Sequence, residues 1–94
     1  MKALLWSIPA EADLAGIDDY WFGLDRDQAD RLLDRIEQAA ERLRFLPEGG
    51  PIIGNDTTRK WRVAGAPYIL LYRVRSDAIE ILRVHHARQD WRRE

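Results

Sequence analysis

The sequence predicts an α+β fold: a short first strand, an antiparallel two-helix hairpin, and three further strands whose antiparallel sheet receives the hairpin on one face. Three observations point there. Apolar residues recur at helical spacing from Ala10 to Leu43, the periodicity changes to two after residue 58, and a turn-rich stretch separates the two zones. The element order is therefore β-α-α-β-β-β.

Each element has its own signal. ALLW (residues 3–6) is a brief apolar run that suits a short strand. Ser7 is a helix N-cap candidate, and Pro9 is tolerated in a first helical turn. Ala10, Leu14, Ile17 and Trp21 then trace one face of a helix that Gly23 ends. Asp25 can cap the next helix, with Gln28 placed to reach back as the fourth member of a capping box. Ala29, Leu32, Leu33, Ile36, Ala40 and Leu43 form its apolar stripe up to Pro47, while acids and bases such as Asp27 and Arg31 alternate opposite. So short a link between the helices makes them an antiparallel hairpin. PEGGPIIGNDTT (residues 47–58) holds two Pro and three Gly and reads as a loop. In TRKWRVAG, Trp61 and Val63 alternate with Lys60 and Arg62. In PYILLYRV, Tyr68, Leu70, Tyr72 and Val74 oppose Ile69, Leu71 and Arg73. RSD turns the chain into a last strand, AIEILRVHH, and two successive hairpins imply an antiparallel meander.

Ninety-four residues predict a single domain over positions 1–94. The absence of Cys excludes disulfides and Cys-based zinc sites and makes a reducing, cytoplasmic setting the expectation. MKALLWSIP has too short an apolar stretch for a signal peptide, and no run approaches the ~20 apolar residues of a membrane span. The net charge of −1 conceals a division: residues 1–58 hold 6 Lys/Arg against 12 Asp/Glu, and residues 59–94 hold 9 against 4. Either solvent-facing positions have drifted to opposite signs, or the C-terminal half faces something acidic.

The ending ILRVHHARQDWRRE (residues 81–94) sets two adjacent histidines among four arginines. His, Arg and an acid at a strand end are the residue types that cut phosphodiesters. On a strand, however, neighbouring side chains alternate, so His85 and His86 point to opposite faces and do not form a working pair. Each has a simpler reading as a hydrogen-bonded structural residue. Metal ligation fails on the same divergence, since no Cys or suitably spaced carboxylate completes a site; no metal or cofactor is implied. Arg62, Arg73 and Arg83 lie at strand positions where their stems can cover the sheet. Alternatively, Arg62, Arg83 and Arg88 form a basic patch for carboxylates or phosphates. Trp91 is either an interface anchor or a cap on the core. No recognition-helix motif exists and the basic field is modest, so direct sequence-specific nucleic-acid binding is not expected.

Four blocks carry a family resemblance: W-S-x-x-A-x-x-D-L (with Trp6, Ser7, Asp13, Leu14), L-x-x-L-P-E-G-G (Leu43 to Gly50), P-Y-I-L-L-Y-R-V (Pro67 to Val74) and I-x-I-L-R-V-x-H-x-R-x-D-W (Ile79 to Trp91). Together they resemble the ParE branch of the RelE/ParE toxin superfamily of type II toxin–antitoxin systems, over nearly the whole chain. The last two blocks are the specific ones. The resemblance implies a RelE-like fold and a non-enzymatic toxin that inhibits DNA gyrase and hence replication. It also implies a ParD-like antitoxin wrapping the toxin in a hetero-oligomer. RelE-type relatives instead cut messenger RNA on the ribosome. In those, a basic residue commonly precedes the L-V-Y of the central strand, where this chain has Ile69. His86 falls where ParE relatives usually keep a His, whereas His85 replaces a usual apolar residue. The alternatives are a ribosome-dependent endoribonuclease using His85, His86, Arg62 and Arg83, or an antitoxin-binding remnant without toxicity. Partner contact is expected at Arg62, Arg73, Arg83, His86, Arg88 and Trp91. A sheet edge is a further candidate for strand addition by the antitoxin, with either edge open to it.

Overall fold

In a computed structural model that describes residues 2–54 and 57–88, six elements follow one another. They are β1 (Ala3–Trp6), α1 (Ile8–Phe22), α2 (Arg26–Leu43), β2 (Arg59–Arg62), β3 (Tyr68–Val74) and β4 (Ala78–His86). Both helices start where the sequence places their caps. Ser7 Oγ accepts the Ala10 N–H at 3.1 Å, and Asp25 Oδ1 accepts the Gln28 N–H at 3.2 Å. The reciprocal half of the capping box does not form. Gln28 Oε1 instead accepts from Arg31 Nη2 at 2.9 Å and Nε at 3.3 Å, which also draws Arg31 away from the expected partner Asp27. An exposed i,i+4 ion pair is worth only about 0.3–0.5 kcal/mol, so a two-pronged hydrogen bond competes with it.

The two helices differ in how they bury apolar surface. α2 buries Ala29, Leu32, Ile36, Ala39, Ala40 and Leu43, which is the predicted stripe with Ala39 added and Leu33 half-buried. α1 buries Ala10 and half-buries Leu14, Ile17 and Trp21, yet leaves Ile8, Tyr20 and Phe22 exposed.

The strands are ordered β1-β4-β3-β2. β2–β3 and β3–β4 pair antiparallel, the predicted meander. β1, whose pairing the sequence left open, joins β4 in parallel, from Ala3↔Ala78 to Trp6↔Ile81, so the four-stranded sheet is mixed. A meander of three strands ends in the direction in which it began, and the helical hairpin brings it in along the direction of β1. Within β4, Ile81 faces Tyr72 and Arg83 faces Leu71, which leaves Leu82 as the extra residue of a bulge.

The core lies between the hairpin and one face of the sheet. Tyr68, Leu70, Tyr72, Ile79, Ile81, Val84 and Val63 meet the α2 stripe there, with Leu4, Trp6 and Trp61 packed at its margin. Each fully buried aliphatic side chain contributes roughly 1.5–3 kcal/mol. Tyr72 is wholly buried, and its hydroxyl accepts the Gly50 N–H and donates to the Pro47 carbonyl, both at 2.9 Å. This pins the P-E-G-G turn to the centre of the sheet. A Cβ on Gly50 would overlap the Lys60 carbonyl, so the turn admits no side chain at that position.

Candidate functional site

The sheet face turned away from the helices gathers most of the residues singled out in the sequence. The register sets them in rows, Arg62–Ile69–His85 and Lys60–Leu71–Arg83, with Arg73 beside Glu80. Ile69 and Leu71 are only 6% and 9% exposed, although they lie outside the helix-side core. Around them stand Lys60, Arg62, Arg73 and Arg83, and Glu80 is the acid in the same rows.

Two of these arginines are already engaged. Arg73 Nη2 meets Glu80 Oε1 at 2.8 Å, and Arg75 Nη1 meets the same oxygen at 3.0 Å. The Arg73 bond first, and then Arg75, holds the Glu80 carboxyl below its ordinary range against the effect of burial. Arg83 forks onto Asp13 of α1, Nε to Oδ2 at 2.8 Å and Nη2 to Oδ1 at 3.0 Å. The Val84 N–H donates to the same Oδ2 at 2.8 Å. Burial would raise the Asp13 carboxyl, but the Arg83 bond, the Val84 N–H and the Arg83 charge outweigh it and leave it below its ordinary range. Asp13 and Ser7, whose Oγ donates to the Leu82 carbonyl at 2.8 Å, close the part of the β4 edge that lies beyond β1. Arg83 is therefore a brace between α1 and the sheet.

Arg62 and Arg88 are exposed and form no ion pair with a described residue. The histidines diverge as strand alternation requires. His85 sits opposite Ile69 on the open face, and its Nδ1 is buried with no hydrogen-bond partner among the described residues. Burial, and then the neighbouring Arg83 charge, lowers its pKa, with Asp13 opposing, so the ring is neutral at pH 7. His86 turns to the helix side, where its ring meets Tyr68 edge-on at 5.4 Å and its Nδ1 accepts the Arg88 N–H at 3.1 Å. The structure thus sets Arg62 and His85 in one row with Ile69 between them, turns His86 to the other side of the sheet, and diverts Arg83 to Asp13. Trp91 lies outside the described residues.

Asp13 is the site residue that sequence reasoning missed. Its signal was present: an acid between Ala10 and Leu14, on the inward stripe of α1. A shallow cleft of about 590 Å³ runs beside it, lined by Asp13, Gly16, Tyr20, Trp21, Tyr68 and His86 among others. Trp21 Nε1 donates to the Tyr68 hydroxyl across it at 3.0 Å. Among the described residues no group of three or more His, Asp or Glu is arranged to hold a metal, and no helix is long and apolar enough to cross a membrane. The open face thus sets Lys60, Arg62, Arg73 and Arg83 around a buried aliphatic floor of Ile69 and Leu71, with Arg73 engaged by Glu80 and Arg83 by Asp13.

Comparison with known proteins agrees with this architecture. The family described as the ParE toxin of type II toxin–antitoxin system, parDE, matches residues 4–91. The putative toxin Y4kP of Sinorhizobium fredii is 37% identical over 90 residues, covering 96% of this chain and 93% of that protein. Toxin RelE2 of Caulobacter vibrioides is 32% identical over 87 residues, covering 93% and 97% respectively. A solved chain of the chromosomal ParDE toxin–antitoxin system from P. aeruginosa superposes with a TM-score of 0.80 at 25% identity, over 92% of this chain and 96% of that one. With the sequence blocks, the mixed four-stranded sheet and these relatives in agreement, the chain belongs to the ParE toxin family of type II toxin–antitoxin systems, within the RelE/ParE superfamily.

Proposed function

We propose that residues 1–94 act as one toxin domain that inhibits DNA gyrase, and hence replication, by protein contact in the cytoplasm. A ParD-like antitoxin holds it inactive in a hetero-oligomer. The observation that carries the non-enzymatic reading is the row Arg62–Ile69–His85. Metal-free RNA cleavage asks for a proton acceptor at the 2′-hydroxyl, a cation at the scissile phosphate and a donor for the leaving oxygen. Ile69 supplies none of these at the centre of the row, and His86 is on the other side of the sheet. The antitoxin reading is supported by the relative solved from a ParDE system and by the basic open face, which suits an acidic segment. Purified chain added in excess to gyrase, plasmid and ATP is expected to suppress supercoiling or trap cleaved DNA. Undiminished supercoiling with no trapped cleavage would overturn the reading.

One observation favours a ribonuclease as the second reading: Arg62 and His85 flank Ile69 on the same face. Cleavage of ribosome-bound message that disappears in His85→Ala would establish it in place of the first.

A further inference from the structure

We propose that the groove between β1 and α2 takes an extended strand of the antitoxin, added to the outer edge of β1 and carrying basic side chains at alternate positions. The source of the strand rests on the antitoxin reading above; its chemistry rests on the groove.

β1 is the last strand on its side of the sheet. The Ala3 N–H bonds to the Asp77 carbonyl at 3.0 Å and the Ser7 N–H to the Ile81 carbonyl at 2.9 Å. In a parallel pair this alternation turns the N–H and C=O of Leu4 and Trp6 away from β4, toward the groove. The other candidate edges are partly occupied. β2 is met from outside by the loop, through the Ile52↔Arg59 bridge and the Lys60 N–H bond to the Pro51 carbonyl at 3.1 Å. The far half of β4 is closed by Ser7 and Asp13. On β1 itself, Arg44 Nε donates to the Lys2 carbonyl at 2.8 Å, which marks where the available edge begins.

The groove beside this edge has a volume of about 750 Å³. Its floor is Leu4 and Trp6, and its wall is one side of α2: Asp34, Glu37, Gln38, Glu41 and Arg42. Positions 34, 37 and 41 share a helix face and repeat every ~5 Å along it. Alternate side chains of an added strand stand ~7 Å apart on the face turned to the groove. Two cationic side chains at i and i+2 therefore each come within reach of a carboxylate. Glu41 already meets Arg44 at 2.9 Å, which leaves Asp34 and Glu37 as the main acceptors. Natural sheets guard open edges with charge. Here the charge sits on the neighbouring helix and is mostly of one sign, so it selects a strand instead of repelling every strand. Main-chain bonds to Leu4 and Trp6 then supply affinity, and the wall supplies specificity.

The test has two arms. Isotope-labelled full chain is titrated with the capped heptapeptide TRVRVRT and with its acidic counterpart TEVEVET. The basic peptide is expected to shift the Leu4 and Trp6 amides, and the acidic one to leave them unmoved. In Asp34→Lys/Glu37→Lys, folded by circular dichroism, the basic peptide should bind about tenfold more weakly, as two exposed charge pairs are lost. Equal binding of both peptides, or shifts confined to other residues, would overturn the groove assignment. The second arm uses the complex with the cognate antitoxin, in which hydrogen exchange at Leu4 and Trp6 should slow at least tenfold. A complex that forms with those amides exchanging as in the free chain overturns the inference and leaves the antitoxin reading intact. Failure of any complex to form overturns the antitoxin reading instead, and the peptide arm still decides the groove.

Discussion

Asp13 spends both carboxylate oxygens on β4, and its bonds reach a residue 70 positions away. Asp13→Ala unpairs the Val84 N–H and Arg83 together. Because the Arg83 side chain is 47% exposed and stays hydrated, the loss should be about 1–2 kcal/mol, measured by urea unfolding. The Asp13 carboxyl is lowered by folding, so its contribution is present above the unfolded value of ~3.9 and disappears as pH falls through the folded one; the variant should lose less stability below pH ~4. His85 works the same way in a higher window. Its folded pKa is also lowered, so protonation opposes folding as pH drops below ~6.5. His85→Leu removes a buried Nδ1 that has no hydrogen-bond partner among the described residues; it should raise stability by about 1 kcal/mol and flatten the fall of the thermal midpoint below pH ~6.5. The divergence of His85 and His86 was legible in the sequence, because alternation is a local rule. The capture of Arg83 by Asp13 was not, because it depends on how α1 lies across the end of β4.

Among the elements, the turn at residues 47–50 shows why a recognisable motif is needed as well as familiar. Tyr72→Phe leaves the Gly50 N–H and the Pro47 carbonyl without their shared partner at a buried site and should cost about 1–3 kcal/mol in thermal or denaturant unfolding. Burial raises the Tyr72 phenol above its ordinary value, so the hydroxyl keeps its proton for Pro47 across the physiological range. The sequence named this turn and both helix starts, because caps and glycine turns act over three or four residues. It did not give the direction of β1. Four apolar residues fit a parallel or an antiparallel neighbour equally, and the partner of Ala3 is Ala78, settled only when the whole chain is assembled. Nor did it give the rotamer of Gln28, where exposed contacts of similar strength compete.

Over the whole molecule, the charge division along the chain becomes a division in space. Acids concentrate on the helical layer and cations on the open face of the sheet. A partner that encloses both must itself change sign along its length, acidic where it crosses the sheet and basic where it joins β1. Of the predicted contact residues, Arg73 and Arg83 are held within the fold, so changing them alters stability along with affinity. Arg62 and Arg88 are the cleaner probes. The double variant Arg62→Ala/Arg88→Ala should keep its unfolding midpoint and weaken antitoxin binding about tenfold at low salt, with the difference shrinking near 1 M salt, where the screening length is about 3 Å. Calorimetric titration at two salt concentrations checks it; unchanged affinity at low salt would remove these residues from the interface.

Leu82 gives that spatial division its phase. Before it, the odd-numbered Ile79 and Ile81 face the helices; after it, the even-numbered Val84 and His86 do. A flat strand of the same length would drive Arg83 and His85 into the apolar layer and lift Val84 out, and an unpaired buried guanidinium would cost far more than a bulge. The ending of β4 therefore has two possible spellings, and a charge that cannot be buried chooses between them. Deleting Leu82 would leave every later side chain facing as it does. Straightening the strand while keeping Leu82 would exchange the faces that meet the core and the partner.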